Sequence, residues 1–313
     1  MTLANQAVFD NNVKNKGAIM EWKGRRQSGN VEDSRGKSYR GASGGGGGGI
    51  GILITIFRMF GFKGVLAAVV LGLVLWKLNI IDPSMFLGGA APVEQRQAEI
   101  SPEEQERFEF VKVVLADTED VFTAEFARIG KKYEMPKLTV YRGKVPTACG
   151  TGDAAMGPFY CPGDKKVYID LGFYDELAQT FDAPGDFAQA YVVAHEVGHH
   201  VQKLLGASDK VNAKRGQPDF NEYSVRLELQ ADFYAGVWAH HNRQYMDRGD
   251  IEEAMRAANA IGDDAIQKKA QGRVVPHSFT HGTSAQRMRW FNKGLASGKI
   301  EDGDTFSMPY ESL

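Results

Sequence analysis

Apolar positions along this chain recur with two periods, and the periods divide it into elements. Residues 102–129 carry a helical stripe. Ser101 stands as its N-cap, Pro102 as its first residue, and Glu103 and Glu104 at the positive end of the helix dipole. Residues 185–206 carry a second stripe, with Val193, Val197, Val201 and Leu204 on one face. Residues 173–181, 220–245, 251–269 and 284–295 read as further helices, while 138–141 and 166–170 alternate as strands. These elements predict an α+β domain over residues 102–313, helix-dominated with a small sheet and without internal repeats. The strand at 167–170 is either an edge open to an extended peptide or an ordinary core strand.

Residues 50–82 follow neither period. They are mostly apolar, interrupted by Arg58, Lys63 and Lys77. They predict a single transmembrane helix at residues 64–82, close to the roughly 20 residues that a bilayer core requires. Residues 50–62 read as an interfacial lead-in, with Trp76 and Lys77 suited to the far interface. Residues 83–101 read as a linker. Residues 1–49 read as a disordered basic arm that ends in the glycine run Gly44 to Gly49 and holds eight Lys/Arg against four acids. Residues 82–110 hold seven acids and two arginines. Lys/Arg stays in the cytoplasm, so the N-terminus is expected inside and the domain outside, after one crossing. The net charge of −2 gives no reason to expect a nucleic-acid partner.

Cys149 and Cys161 lie in a segment rich in Gly and Pro. In an exported domain, two cysteines suggest one disulfide, worth about 3 kcal/mol on the chain-entropy model. Free thiols are the alternative. A metal pair is disfavoured, because no second Cys or His pair lies at ligand spacing.

The helix at 185–206 contains Ala194-His195-Glu196-Val197-Gly198-His199-His200. Positions i and i+4 share a helix face, so His195 and His199 are placed to hold one zinc ion, with Glu196 beside them as general base. The competing reading is a core helix with hydrogen-bonded histidines. Gly198 costs helix stability and implies close approach of a neighbouring element. A catalytic zinc needs a third ligand, and Glu228 on the next long helix is the candidate. Asp232, one turn on, would bind a ligand imidazole N–H. A surface pairing of these acids with Arg226 or Arg243 is the rival. Arg287 is placed to pair with Asp232 or Glu222.

The chain resembles the bacterial neutral zinc metallopeptidase family of single-pass membrane proteins. The resemblance rests on Met20-Glu-Trp-Lys-Gly-Arg-Arg-Gln-Ser-Gly-Asn-Val-Glu-Asp33, Gly157-Pro-Phe-Tyr-Cys-Pro162 and Ala190-Tyr-Val-Val-Ala-His-Glu-Val-Gly-His-His-Val-Gln202. It also rests on Glu228-Leu-Gln-Ala-Asp232 and Thr280-His-Gly-Thr-Ser-Ala-Gln-Arg-Met-Arg-Trp-Phe291. The pattern also looks like gluzincins of the membrane CAAX-protease and heat-shock protease type. That likeness implies a zincin-like domain, Glu228 as third ligand and His281 as a transition-state contact.

The expectation is therefore a zinc metallopeptidase of the bacterial inner membrane, with one Zn²⁺ per chain and a peptide or protein substrate in the periplasm or outside the cell. The alternatives are a non-catalytic membrane scaffold with a structural zinc, or a zinc hydrolase of a non-peptide bond. The motif at 22–33 reads as a docking segment for a cytoplasmic partner.

Overall fold

The computed structural model describes residues 20–37, 99–181, 183–247 and 249–313. Contacts divide the chain into two units. One holds residues 1–38 and 100–313, and the other holds 39–99, of which Glu99 is described. The expected span at 64–82 and its lead-in lie outside the described residues. Among the described residues no helix is long and apolar enough to cross a membrane.

The first unit is α+β and helix-dominated, as its periodicity predicts. Its main sheet has the order β1-β2-β6-β5, from Val31–Asp33 (β1), Lys137–Tyr141 (β2), Lys166–Asp170 (β6) and Phe159–Cys161 (β5). β1 and β6 run parallel to β2, with Val31 and Val167 both opposite Leu138. β5 runs antiparallel to β6. A separate hairpin joins Lys144–Thr147 (β3) to Gly150–Asp153 (β4). The strand at 166–170 is thus internal: Val167, Tyr168 and Ile169 are all buried between two neighbours. The open edge on that side is β5, which is too short for its alternation to be read from sequence.

The described residues also form eight helices. α1 (Pro102–Arg128) starts as expected, with the Ser101 Oγ accepting from the Glu104 N–H at 3.1 Å. α2 (Phe173–Gln179) leads to α3 (Asp186–Leu205), then α4 (Ala207–Asn212) and α5 (Phe220–His241). The expected helix at 251–269 is two, α6 (Asp250–Ala260) and α7 (Asp263–Gln271). The break falls at Gly262, where a Cβ would meet the Ser284 backbone nitrogen at 2.5 Å. α8 (Ser284–Ser297) follows.

α3 runs through the core. Phe187, Tyr191, Val193, Val197 and Val201 are all buried, each apolar side chain contributing roughly 1.5–3 kcal/mol. The close approach implied by Gly198 is real. A Cβ there would stand 2.9 Å from the Ala231 carbonyl oxygen, so α3 and α5 cross almost backbone to backbone. That crossing sets His195 and His199 opposite Glu228 and Asp232.

The N-terminus of α3 has no side-chain cap of its own. Glu253 of α6 serves instead: its carboxylate accepts from the Phe187 N–H and fills the space beside Gly185. Burial pushes its pKa up to about 7. An acid whose folded pKa is raised stabilises most below its unfolded value, and that contribution is lost as pH rises through about 7. Glu253→Gln keeps the acceptor. It is expected to flatten thermal stability between pH 5 and 8, by on the order of 2 kcal/mol. Parallel pH–melting curves for the two proteins would count against this.

The arm expected to be disordered over 1–49 holds an ordered part. Residues 20–37 pack on α1 and supply β1. Met20, Trp22 and Ser28 are buried, and Glu21 donates its backbone N–H to the Tyr245 carbonyl at 2.9 Å. No apolar period marks this segment, because only a few of its side chains enter the core and the rest make polar contacts. The folded domain therefore extends beyond the expected boundary at residue 102.

Candidate metal centre

His195 and His199 stand one turn apart on α3 and share a face. The His195 Nε2 is 3.2 Å from one Glu228 oxygen, and the His199 Nε2 is 3.5 Å from the other. One donor atom from each of these three residues lies within 4.8 Å of the others. This is the set read from the two i,i+4 pairs.

The outer nitrogens are both engaged, which leaves both Nε2 atoms facing Glu228. The His195 Nδ1 is 2.8 Å from Asp232, whose carboxylate also accepts from the Tyr191 hydroxyl at 2.5 Å. Arg287 grips the same carboxylate with Nε at 2.8 Å and Nη2 at 3.0 Å, and donates to the Ile261 carbonyl. It pairs with Asp232, then, and not with Glu222. Arg226 and Arg243, the rival partners for the acids, instead donate to main-chain carbonyls of Thr305, Met308 and Leu295. The His199 Nδ1 meets the Gln202 Oε1 at 2.8 Å, and the Gln202 amide donates to the Leu227 carbonyl. One imidazole is thus backed by a charged carboxylate and the other by a neutral amide.

The electrostatics fit a dication. Burial opposes charge on His195, but Asp232 and Glu228 overcome it and hold its pKa at about 10. Burial likewise opposes charge on Glu228, yet His199 and His195 keep its pKa well below the ordinary value. Arg287 already answers the Asp232 charge, whereas the half-buried Glu228 faces only the two imidazoles, and a zinc ion bound by both Nε2 atoms and Glu228 would supply positive charge there. Glu196 is also buried, and burial raises its carboxyl pKa.

His195, Glu196, His199, Glu228, Tyr191 and Arg287 line one cleft of about 600 Å³, together with His281, Tyr160 and Phe159. The His281 Nδ1 is 3.1 Å from Asp263, which raises its pKa and leaves Nε2 available. His200 is not part of the cluster. It is buried between the Tyr160 hydroxyl and the Glu134 carbonyl. Cys149 and Cys161 form a disulfide that ties the β3–β4 turn to the end of β5.

Sequence reading missed Tyr191, Gln202 and Asp263. Tyr191 precedes His195 by four positions and Gln202 follows His199 by three, so helical spacing carried both signals. Asp263 reaches His281 only through tertiary packing, and no local pattern marks it.

Outer contacts of this kind typically matter 10–100-fold in metal affinity. Glu228→Ala is expected to weaken zinc most, Asp232→Asn by about 10–100-fold, and Gln202→Ala least. Competition against a chelating dye measures the order. Zinc loss in Asp232→Asn with retention in Glu228→Ala would exchange the two roles.

Two histidines and a glutamate, with a further glutamate beside them and an open cleft in front, are the layout of a zinc site that keeps a free coordination position. The chain belongs to the family described as "Putative neutral zinc metallopeptidase", which it matches over residues 20–306. It is 49% identical over 292 residues to "Uncharacterized protein YpfJ" of Escherichia coli (strain K12), covering 92% of this chain and 99% of that protein. It is 43% identical over 188 residues to "Uncharacterized protein Rv2575" of Mycobacterium tuberculosis (strain ATCC 25618 / H37Rv), covering 56% of this chain and 64% of that protein. No solved structure matches it.

Proposed function

We propose that this protein hydrolyses peptide bonds with a zinc ion held by His195, His199 and Glu228. The observation that carries the reading is Glu196, a buried acid that faces the cleft beside the ligand cluster. A structural zinc needs no base and is closed by a fourth protein ligand. Among the described residues the cluster has three.

Zinc bound there would polarise the scissile carbonyl and bring water toward ionisation near neutral pH. Glu196 takes the proton from the attacking water and passes it to the leaving amine. Asp232, held by Arg287 and Tyr191, fixes the His195 ring, and Gln202 fixes the His199 ring. His281, oriented by Asp263, donates from Nε2 to the oxyanion. β5 offers an open strand edge beside the cleft, which suits an extended peptide better than a compact non-peptide ester. The apolar stretch at 50–81 supports attachment to a bacterial cell membrane, and the disulfide suits an oxidising compartment.

His281→Ala is expected to retain zinc and fold while kcat falls by about 10²–10³, the scale for one oxyanion donor. A lower melting temperature with normal turnover would assign it a structural role instead. The proposal as a whole is tested by incubating the purified full-length chain with a diverse peptide mixture and reading new termini by mass spectrometry. Cleavage abolished by chelator and restored by zinc supports it. A zinc-loaded protein that cleaves nothing would favour the scaffold.

A further inference from the structure

The motif at residues 20–37 takes no part in the chemistry, yet its placement constrains how the chain meets a membrane. β1 is hydrogen-bonded into the main sheet beside β2. Arg25 reaches Asp117 of α1 at 2.6 Å and stacks on the Tyr245 ring. Glu119 of α1, buried, accepts from the Arg26 Nη1 at 3.0 Å, the Ser28 hydroxyl at 2.6 Å and the Asn30 amide at 2.7 Å. Arg35, also buried, donates to the Glu104 carbonyl at 3.3 Å and to the Gln105 side chain at 3.1 Å. The folded unit therefore takes up the chain again at residue 100, beside the start of α1. Residues 39–99 are an insertion in the sequence of one folded unit.

A bilayer's hydrocarbon core is about 30 Å thick, and hydrogen bonds cannot join partners across it. A single crossing within residues 39–99 would tear β1 from β2 and strip Glu119 of three donors. Two crossings need about 40 apolar residues in addition to a turn, and the apolar stretch at 50–81 is 32 residues long. We propose that residues 20–37 and 100–313 lie on the same side of the membrane, and that the apolar stretch between them engages lipid without a net crossing.

This replaces the single-pass arrangement expected from charge bias. The bias itself loses force in the fold. Of the basic residues before the apolar stretch, Lys23, Arg25, Arg26 and Arg35 are matched by Glu106, Asp117, Glu119 and Asp33. Those charges belong to the domain and compensate its acids, so they are no guide to which side the N-terminus occupies. The inference does not depend on hydrolysis.

The test uses the full-length chain in its membrane, with Cys149 and Cys161 replaced by alanine and one new cysteine at an exposed position. Gln27→Cys reports on the motif and Lys299→Cys on the domain. Each is treated with a membrane-impermeant maleimide in intact and in permeabilised cells. The two positions are expected to share one ratio of intact to permeabilised labelling, whether near one or near zero. A ratio near one at one position and near zero at the other would overturn the proposal. Epitopes placed ahead of Met1 and after Leu313, in the chain with its disulfide intact, give the same comparison by antibody access. Opposite access there would overturn it equally.

Discussion

Glu196→Gln is expected to keep its zinc and lose peptide hydrolysis by about 10²–10⁴, the range for a positioned acid–base group. The side chain keeps its size and remains polar, so the buried pocket beside His195 and His199 stays filled. What it loses is the ability to accept a proton. Burial raises the Glu196 carboxyl pKa, and a raised pKa brings a carboxylate base closer to the operating pH. The neighbouring imidazoles and Arg287 oppose that rise and Glu228 supports it, so the group sits between two influences that zinc binding would shift again. The measurement pairs metal content with turnover for the two proteins at equal zinc loading. An unchanged rate would remove Glu196 from the chemistry, and with it the main reason to prefer an enzyme over a scaffold.

The second large effect lies far from the metal. A chain lacking residues 1–37 is expected to lose most of its stability. Glu119 would be left buried without Arg26, Ser28 and Asn30, and Asp117 without Arg25. Removing one partner of a buried ion pair costs about 3–5 kcal/mol, the scale for Arg25–Asp117, and the Arg26–Glu119 pair, half exposed on its arginine, contributes less. Losing the burial of Met20 and Trp22 adds roughly 1.5–3 kcal/mol for each. Together these rival the about 5–15 kcal/mol that holds a typical domain folded. The milder Ser28→Ala/Asn30→Ala protein removes two of the three donors to Glu119 and should show a smaller loss in the same direction. Urea unfolding of the three proteins checks the order. A truncated chain with the midpoint of the full one would mean that the motif rests on the domain without supporting it. The practical consequence is that fragments beginning near residue 90 are poor material for assays.

Most of the helical framework was legible because long amphipathic helices announce themselves by period. α1, α3, α5 and α8 fall within a few residues of their expected ranges. The clustering of His195, His199 and Glu228 was legible for a related reason: side chains that converge from a helix must share a face, and i,i+4 spacing records that requirement in the sequence. Features made by tertiary contact were not legible. β1 and β5 are three residues each, too short for alternation to register. The break at Gly262 depends on the backbone at Ser284, and the Asp263 contact to His281 joins residues that no local pattern connects. The arm at 20–37 misled in a different way. Its arginines look like a solvated basic tail until the acids on α1 that they satisfy are seen beside them.

A zinc ion between the His195 and His199 Nε2 atoms and Glu228, as proposed, is tested most directly by anomalous scattering from crystals of the protein at the zinc absorption edge. One strong peak per chain is expected, about 2.0–2.2 Å from each of the three donor atoms, and it should vanish in Glu228→Ala. A peak elsewhere in the chain, or none after zinc addition with the three side chains in place, would contradict the proposal.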